Sequence, residues 1–476
     1  MNEELKQQTK RGVFWSAIQR FSTQGLQFLT TIVLANFLGP AEYGTIAMLS
    51  IFLAVSSVFI DGGFINALTR KPDRTHADIC TVFYFNICIS VLAYVLLFWA
   101  APLIAEFYEM PELCIVLRII GISLVIGSFS SVQATLLTIK LDFKTQTRIA
   151  IISLLIGAVI AIILAYKGFS YWALVVQQIV GATVSSILYW YYSPWRPTMV
   201  FSKKSFVEMF AFGSKLLAST LLDTAYNNIY SLVIGKVFSA STLGNYNRAE
   251  SYANFPSSSL TGVMQRVTYP VLCKIQDNNT ELSNAYLKFL RLSAFVIFPL
   301  MMGLSALAYP FILLLIGQKW VDCVIMLQIL CFSLMWYPVH AININLLLTK
   351  GRSDLNLRLE IIKKIMGVII LCIAIPMGII VLCYSRIVMS VLSLFVNTYY
   401  TGKILNLGFF RQMKALTPST LISFGMWGVI MFTNTFTDSM YTQMILGIVA
   451  GMTFYLSLSY LFNKGDFQTL ILLIHK

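Results

Sequence analysis

The chain has 476 residues, of which 58% are hydrophobic and only 11% charged, with a mean hydropathy of +0.76. A soluble domain carries about a quarter charged residues, and a single soluble core rarely grows past roughly 250–300 residues, so this much apolar sequence needs lipid around it. The net charge of +14 does not indicate a nucleic-acid partner, because the basic residues form short clusters between apolar runs, such as Arg70/Lys71/Arg74, Lys140/Lys144/Arg148 and Lys350/Arg352/Arg358. That pattern belongs to membrane loops facing anionic lipid.

From Met1 to Lys10 the chain is polar and reads as helical. No short apolar segment with a small-residue cleavage site follows, so no cleaved signal peptide is expected. Runs of about 20 apolar residues, the length that crosses a bilayer, then recur between Gly, Pro and charge. They centre near Leu26, Ala54, Ser90, Leu124, Val159, Gly181, Leu221, Phe255, Ile297, Phe332, Val368, Leu392, Trp427 and Ala450. The expected fold is therefore an all-α integral membrane protein of about 14 transmembrane helices. Basic residues concentrate in alternate loops, while Glu42, Glu106, Glu109, Glu112, Asp322 and Asp438 fall in the other set. By the positive-inside rule both termini are expected in the cytoplasm, in a multi-pass protein of the cell inner membrane. No outer loop is long enough for an extramembrane catalytic domain. The eight cysteines form no C-x-x-C and mostly fall inside apolar runs, so they read as small buried hydrophobes, with neither a disulfide framework nor a metal site expected.

The chain repeats itself. LCIVLRIIGISL at 113–124 matches CVIMLQILCFSL at 323–334, and the same offset of 210 pairs Lys140 with Lys350, Gly157 with Gly367 and Gly168 with Gly378. Earlier, an offset of 200 pairs Gly44 with Gly244. Equivalent positions stand six spans apart; an even number preserves orientation, so the halves are parallel copies. The expected organisation is two parallel six-helix lobes around a central cleft, residues 1–205 and 206–405, followed by two extra C-terminal helices and a tail in 406–476.

Charge is expensive in hydrocarbon and usually faces a cavity or a partner. In the first span Ser16, Arg20, Gln24, Gln27 and Thr31 follow at steps of 4, 4, 3 and 4, a polar stripe on one helical face. The seventh span repeats that spacing in Lys215, Ser219, Asp223, Tyr226 and Tyr230. The stripes are expected to face a wet cleft; snorkelling of Arg20 and Lys215 to the headgroups is the plainer alternative. Asp223 reads either as a coupling-ion site or as a partner of Lys215, and Asp61 as an ion site or, more plainly, a helix-end contact. Arg248 is a candidate for the outer half of the cleft, Arg118 an interfacial anchor, and His340 a packed or hydrogen-bonded histidine.

The first two spans read GVFWSAIQRFSTQGLQFLTTIVLANFLGPAEYG from Gly12 to Gly44 and FIDGGFINALTR from Phe59 to Arg70; the second half carries LGNYNRAESYANFP from Leu243 to Pro256. This resembles the polysaccharide transporter family, the Wzx-type flippases of O-antigen, colanic acid and capsule export, within the superfamily that also holds multidrug extruders and the lipid II flippase. Trp15, Arg20, Gln24, Gly25, Gly39-Pro40, Tyr43-Gly44, Asp61 and Gly63 match the colanic-acid subgroup, while Asn36 stands where such sequences often carry Arg. The resemblance implies a cargo: an oligosaccharide repeat unit on a polyprenyl pyrophosphate, moved across the inner membrane by alternating access for surface polysaccharide synthesis. Arg20, Lys215 and Arg248 would then meet the pyrophosphate, Gln24, Gln27, Tyr226, Asn227 and Tyr230 the sugars, and Asp223 or Asp61 a coupling ion. No cofactor is expected beyond a proton or sodium gradient. Membrane lipid and other polysaccharide-assembly proteins are the further partners considered, and nucleic acid is not. A multidrug exporter of the same superfamily is the nearest alternative, disfavoured by a cationic cleft. A polymerase or ligase is the enzyme alternative, disfavoured by the short outer loops.

Overall fold

Where the apolar runs break, the helices end. A computed structural model of the chain describes the backbone of residues 3–474 and the side chains of residues 15 and 18–469. Its helices are α1 (Glu3–Phe37), α2 (Pro40–Asp61), α3 (Phe64–Arg70), α4 (His76–Tyr108), α5 (Glu112–Ile139), α6 (Phe143–Tyr166), α7 (Trp172–Tyr192), α8 (Lys203–Val237) and α9 (Ala240–Lys274). They continue as α10 (Asn279–Ala306), α11 (Ala308–Ile316), α12 (Val321–Leu334), α13 (Tyr337–Thr349), α14 (Ser353–Ala374), α15 (Ile379–Leu405), α16 (Phe409–Thr433), α17 (Met440–Phe462) and α18 (Lys464–Ile474). No strand occurs among the described residues. Each of the expected span centres lies in one of these helices, and 11 stretches among the described residues are long and apolar enough to cross a membrane. The chain is a polytopic helical membrane protein.

Helix boundaries follow local chemistry. Thr75 caps α4 in a capping box, its hydroxyl accepting from the Asp78 backbone N–H at 3.2 Å while the Thr75 N–H donates to the Asp78 carboxylate at 2.8 Å. Asp142 caps α6 and Asn278 caps α10 through their side-chain oxygens. The repeat reappears in these boundaries. Lys140 closes α5 and Lys350 closes α13. The next residue is left-handed in both copies, Leu141 at φ 58° and Gly351 at φ 69°. Gly168 and Gly378, paired by the same offset, turn the chain at φ 83° and 97°.

The chain forms two compact units, Met1–Gly244 and Asn245–Lys476. In the first, α4, α5 and α7 pack in series, α1 lies along α6, and α8 packs on α2, α3 and α4. Leu34 and Leu38 of α1 meet Ala161 and Ala165 of α6. Phe64 of α3 is fully buried and stacks on Phe85 of α4 and Phe206 of α8, with ring centroids 4.0 and 5.6 Å away. At the other end of α2, backbones touch. A Cβ added to Gly44 would stand 1.7 Å from the Ala240 carbonyl oxygen, and one added to Gly244 would stand 1.9 Å from that of Pro40. The contact is reciprocal, since the offset of 200 carries Pro40 to Ala240 and Gly44 to Gly244. Only glycine permits such an approach, the small-residue device of membrane helix packing.

In the second unit, α10 packs on α16, α12 and α13, and α15 on α12, α13 and α14. The interior holds an amide pair rather than hydrocarbon alone. The side-chain N–H of Asn343 (α13) donates to Gln412 Oε1 (α16) at 3.0 Å, and that of Gln412 donates back to Asn343 Oδ1 at 3.1 Å. The Thr401 hydroxyl (α15) also donates to Asn343 Oδ1, at 2.8 Å, and all three residues are 0% exposed. Thus α16 belongs to the core of this unit. Replacing Gln412 by Leu should lower thermal stability by about 1–2 kcal/mol, because it removes both amide–amide hydrogen bonds and leaves one Asn343 N–H without a partner where no water reaches. The double variant Asn343→Leu/Gln412→Leu should lose less than the sum of the single changes; additive melting shifts in detergent would refute the pairing.

Candidate functional site

The apolar face of α1 is committed to α6, which turns its polar residues away from the packing. Arg20 and Gln27 are exposed, and Gln24 and Thr31 are half-buried; Ser16 lies outside the described side chains. Helix α8 behaves similarly. Met209, Gly213, Ile234 and Gly235 are buried, while Lys215, Ser219, Asp223 and Asn227 are exposed. Tyr226 is half-buried, and Tyr230 is turned inward, at 5% exposure. The expected stripe on α8 is therefore open along Lys215–Asp223 and closes at Tyr230. Both charged stripes belong to the first compact unit.

Arg248, on α9 within the second unit, is held differently. Its guanidinium carbon lies 5.6 Å from the ring centroid of Trp320 and 5.9 Å from that of Tyr252. Trp320 is fully buried, so this cation rests on a fixed aromatic surface. Two residues further on, Glu250 pairs with Arg386 at 2.8 Å. Asp61 is the last residue of α2, exposed, ahead of two left-handed glycines, Gly62 and Gly63. Arg118 lies 4.1 Å from the Phe98 ring centroid and donates from Nε to the Phe98 carbonyl at 3.3 Å. His340 Nδ1 accepts from the Asn397 amide at 3.0 Å, Nε2 donates to the Ser390 hydroxyl at 3.3 Å, and Ser390 donates to the Ser333 carbonyl at 3.0 Å. Both ring nitrogens are thus engaged, as in a neutral, structural histidine.

Two electrostatic clusters escaped the sequence because their partners are far apart along the chain. Lys71, in the α3–α4 connection, reaches Asp78 of α4 at 3.2 Å and Glu208 of α8 at 3.1 Å. Hydrogen bonding to Glu208 raises the Lys71 ammonium above its ordinary value; burial opposes this, and the contact with Asp78 adds to the rise. Beside this cluster α3 and α8 meet at glycines: a Cβ on Gly63, itself at φ 72°, would stand 2.6 Å from the Gly213 backbone. The α7–α8 connection is tied down nearby, where the Ser202 N–H donates to Thr81 Oγ1 at 3.0 Å and Thr198 meets His76 Nε2 at 3.0 Å. At the other end of α8, Lys236 pairs with Glu109 at 2.8 Å and holds that carboxyl below the ordinary range. That contact is present above the usual carboxylate pKa and fades as pH falls through the lowered one. Breaking the Lys71 cluster should be asymmetric, because the Asp78 side chain is 2% exposed and that of Glu208 58%. Lys71→Met should destabilise by about 2 kcal/mol by stranding a buried carboxylate, and Glu208→Gln by under about 1 kcal/mol. Equal melting shifts would contradict this arrangement.

The arrangement of helices is that of known membrane exporters. The lipid II flippase MurJ in an inward closed conformation superposes with a TM-score of 0.77 at 15% identity, over 95% of this chain and 99% of that one. An inward-facing multidrug MATE transporter of the MOP superfamily superposes with a TM-score of 0.61 at 16% identity, over 85% of this chain and 99% of that one. The fold is thus that of this class of helical transporters. At the sequence level, the family model described as polysaccharide biosynthesis protein matches residues 33–325. This is more than half of the chain, which therefore belongs to that polysaccharide biosynthesis family. Its relatives include the teichuronic acid biosynthesis protein TuaB of Bacillus subtilis, 26% identical over 95% of both chains. The lipopolysaccharide biosynthesis protein WzxC of Escherichia coli is 25% identical over 75% of this chain and 73% of its own. The succinoglycan biosynthesis transport protein ExoT of Rhizobium meliloti is 27% identical over 65% and 63%.

Proposed function

We propose that the protein is a flippase of the cell inner membrane. It carries an oligosaccharide repeat unit linked to polyprenyl pyrophosphate from the inner to the outer leaflet, with both of its own termini in the cytoplasm. The observation that carries this reading is the conjunction of membership in a polysaccharide biosynthesis family with a flippase-class fold whose helices α1 and α8 expose cations, Arg20 and Lys215. A pyrophosphate loses water on entering a membrane protein, and fixed positive charge offsets that cost. Arg20 supplies a planar fork for two phosphate oxygens and Lys215 a point charge. Gln24, Gln27, Tyr226 and Asn227 supply donors and acceptors for sugar hydroxyls. Arg248, seated on Trp320 and Tyr252, serves a later position of the pyrophosphate along the path. The cationic α1 and α8 disfavour an exporter of cationic drugs, and the short connections between helices disfavour a polymerase or ligase.

Arg20→Ala and Lys215→Ala should each reduce surface polysaccharide by about tenfold or more, the effect of losing one charge-assisted contact to a phosphate. Lipid-linked repeat units should accumulate inside the cell. Arg20→Lys should recover part of the loss, since charge remains and the fork is gone. The measurement is surface polymer against lipid-linked precursor at matched protein level, and wild-type export by the double alanine variant would overturn the assignment.

Asp223 lies two turns above Lys215 on the same open face of α8. In this reading it binds the coupling proton or sodium ion. Asp223→Asn should abolish the dependence of export on the ion gradient while the protein still inserts. Gradient dependence equal to wild type would assign Asp223 a structural role instead.

A further inference from the structure

Helices α16 and α17 form a hairpin, so the first turns of α16 lie beside the last turns of α17. Between them runs a groove of about 550 Å³, within the roughly 300–1,000 Å³ typical of clefts that hold one small ligand. Pro418 sits inside α16 and lines this groove. It has no N–H to give the carbonyl of Lys414, one turn earlier, so the helix opens there. The floor is Ile422, 7% exposed, and the walls are Leu421, Leu458 and Phe462, two of them largely exposed at 65% and 73% for Leu421 and Phe462. A hydrogen bond from Asn463 to the Ser419 hydroxyl, 3.2 Å, pins the two helices beneath.

One end of this apolar groove is cationic. Lys414 forms its rim. Arg411 stands one turn before it on α16, and Lys464 two residues past Phe462; all three side chains are exposed. Among the described residues no carboxylate pairs with any of them. Arg411 donates to the Asn406 carbonyl at 3.1 Å, Lys464 lies 5.8 Å from the Tyr460 ring centroid, and Asp466, the acid of this region, is taken by Arg291 at 3.5 Å. A membrane groove that is greasy along its length and cationic at its headgroup end matches a ligand with an acyl chain and a negatively charged phosphate. We propose that the α16–α17 groove is a binding site for an anionic glycerophospholipid of the bilayer, its phosphate at Lys414 and one acyl chain along Leu421, Ile422 and Leu458. The cations without a carboxylate partner select an anionic headgroup over a zwitterionic one. Because α16 also completes the core of the second unit through Gln412, lipid seated here bears on an element that the unit needs for its packing.

The test uses the full-length protein purified in mild detergent and supplied with phosphatidylglycerol or phosphatidylcholine, with native mass spectrometry counting bound lipid and melting temperature read in parallel. Wild type should retain phosphatidylglycerol preferentially and melt higher with it. Lys414→Glu should cut that preference by at least about fivefold, the effect of one cation on an anionic lipid. Leu458→Trp, which fills the groove and keeps the charge, should reduce retention of both lipids. Lys203→Glu, a surface cation of the first unit, should bind as wild type does. Equal retention of the two lipids by wild type, unchanged selectivity in Lys414→Glu, or displacement of the bound phospholipid by equimolar polyprenyl phosphate would overturn the proposal.

Discussion

Hydrocarbon supplies no hydrogen-bond partner, and the polar side chains discussed above are disposed according to that constraint. A polar group among apolar helices must be paired within the protein, laid on an aromatic surface, or turned toward water or headgroups. Asn343, Gln412 and Thr401 pair with one another across three helices and are sealed from solvent. Lys71 ties Asp78 to Glu208, and Arg248 rests on Trp320 and Tyr252. Arg20, Lys215, Asp223 and Asn227 stay exposed. Burial rather than residue type separates these side chains: Gln412 is sealed in the packing, whereas Gln27 is exposed.

Close packing without a hydrophobic drive between helices depends on small residues. The reciprocal contact of Gly44 with Ala240 and of Gly244 with Pro40 brings two helix starts together through backbone alone. Gly63 and Gly213 do the same at the other end of α2 and its neighbours. Such contacts hold backbones together without interlocked side chains.

The first unit therefore holds exposed charge on helices that pack elsewhere along their length, α1 on α6 and α8 on α2, α3 and α4. In the second unit, α16 contributes Gln412 to the core and, on its outer side, a groove with a basic rim. The chain belongs to a polysaccharide biosynthesis family, and the proposed cargo and the proposed lipid site would each use one of these features.

Composition and hydropathy by themselves determined that this is a helical membrane protein, and the helices in which the expected span centres fall, because the length of an apolar run is a local property tied directly to bilayer thickness. The 210-residue offset foretold the paired turns at Lys140 and Lys350 and at Gly168 and Gly378, since a turn's chemistry is also local. Helical spacing likewise foretold the open faces of α1 and α8 as far as Asp223, and it failed at Tyr230, which periodicity assigned to the stripe and packing buried. Spacing cannot tell which neighbour covers the end of a long helix. Only the tertiary structure joined Lys71 to Glu208, 137 residues away, and Asn343 to Gln412, 69 residues away. It alone set Arg248 over Trp320 and hollowed the groove at Pro418. Those pairings depend on which helices become neighbours, and burial rewards a polar contact only after folding has excluded water from around it.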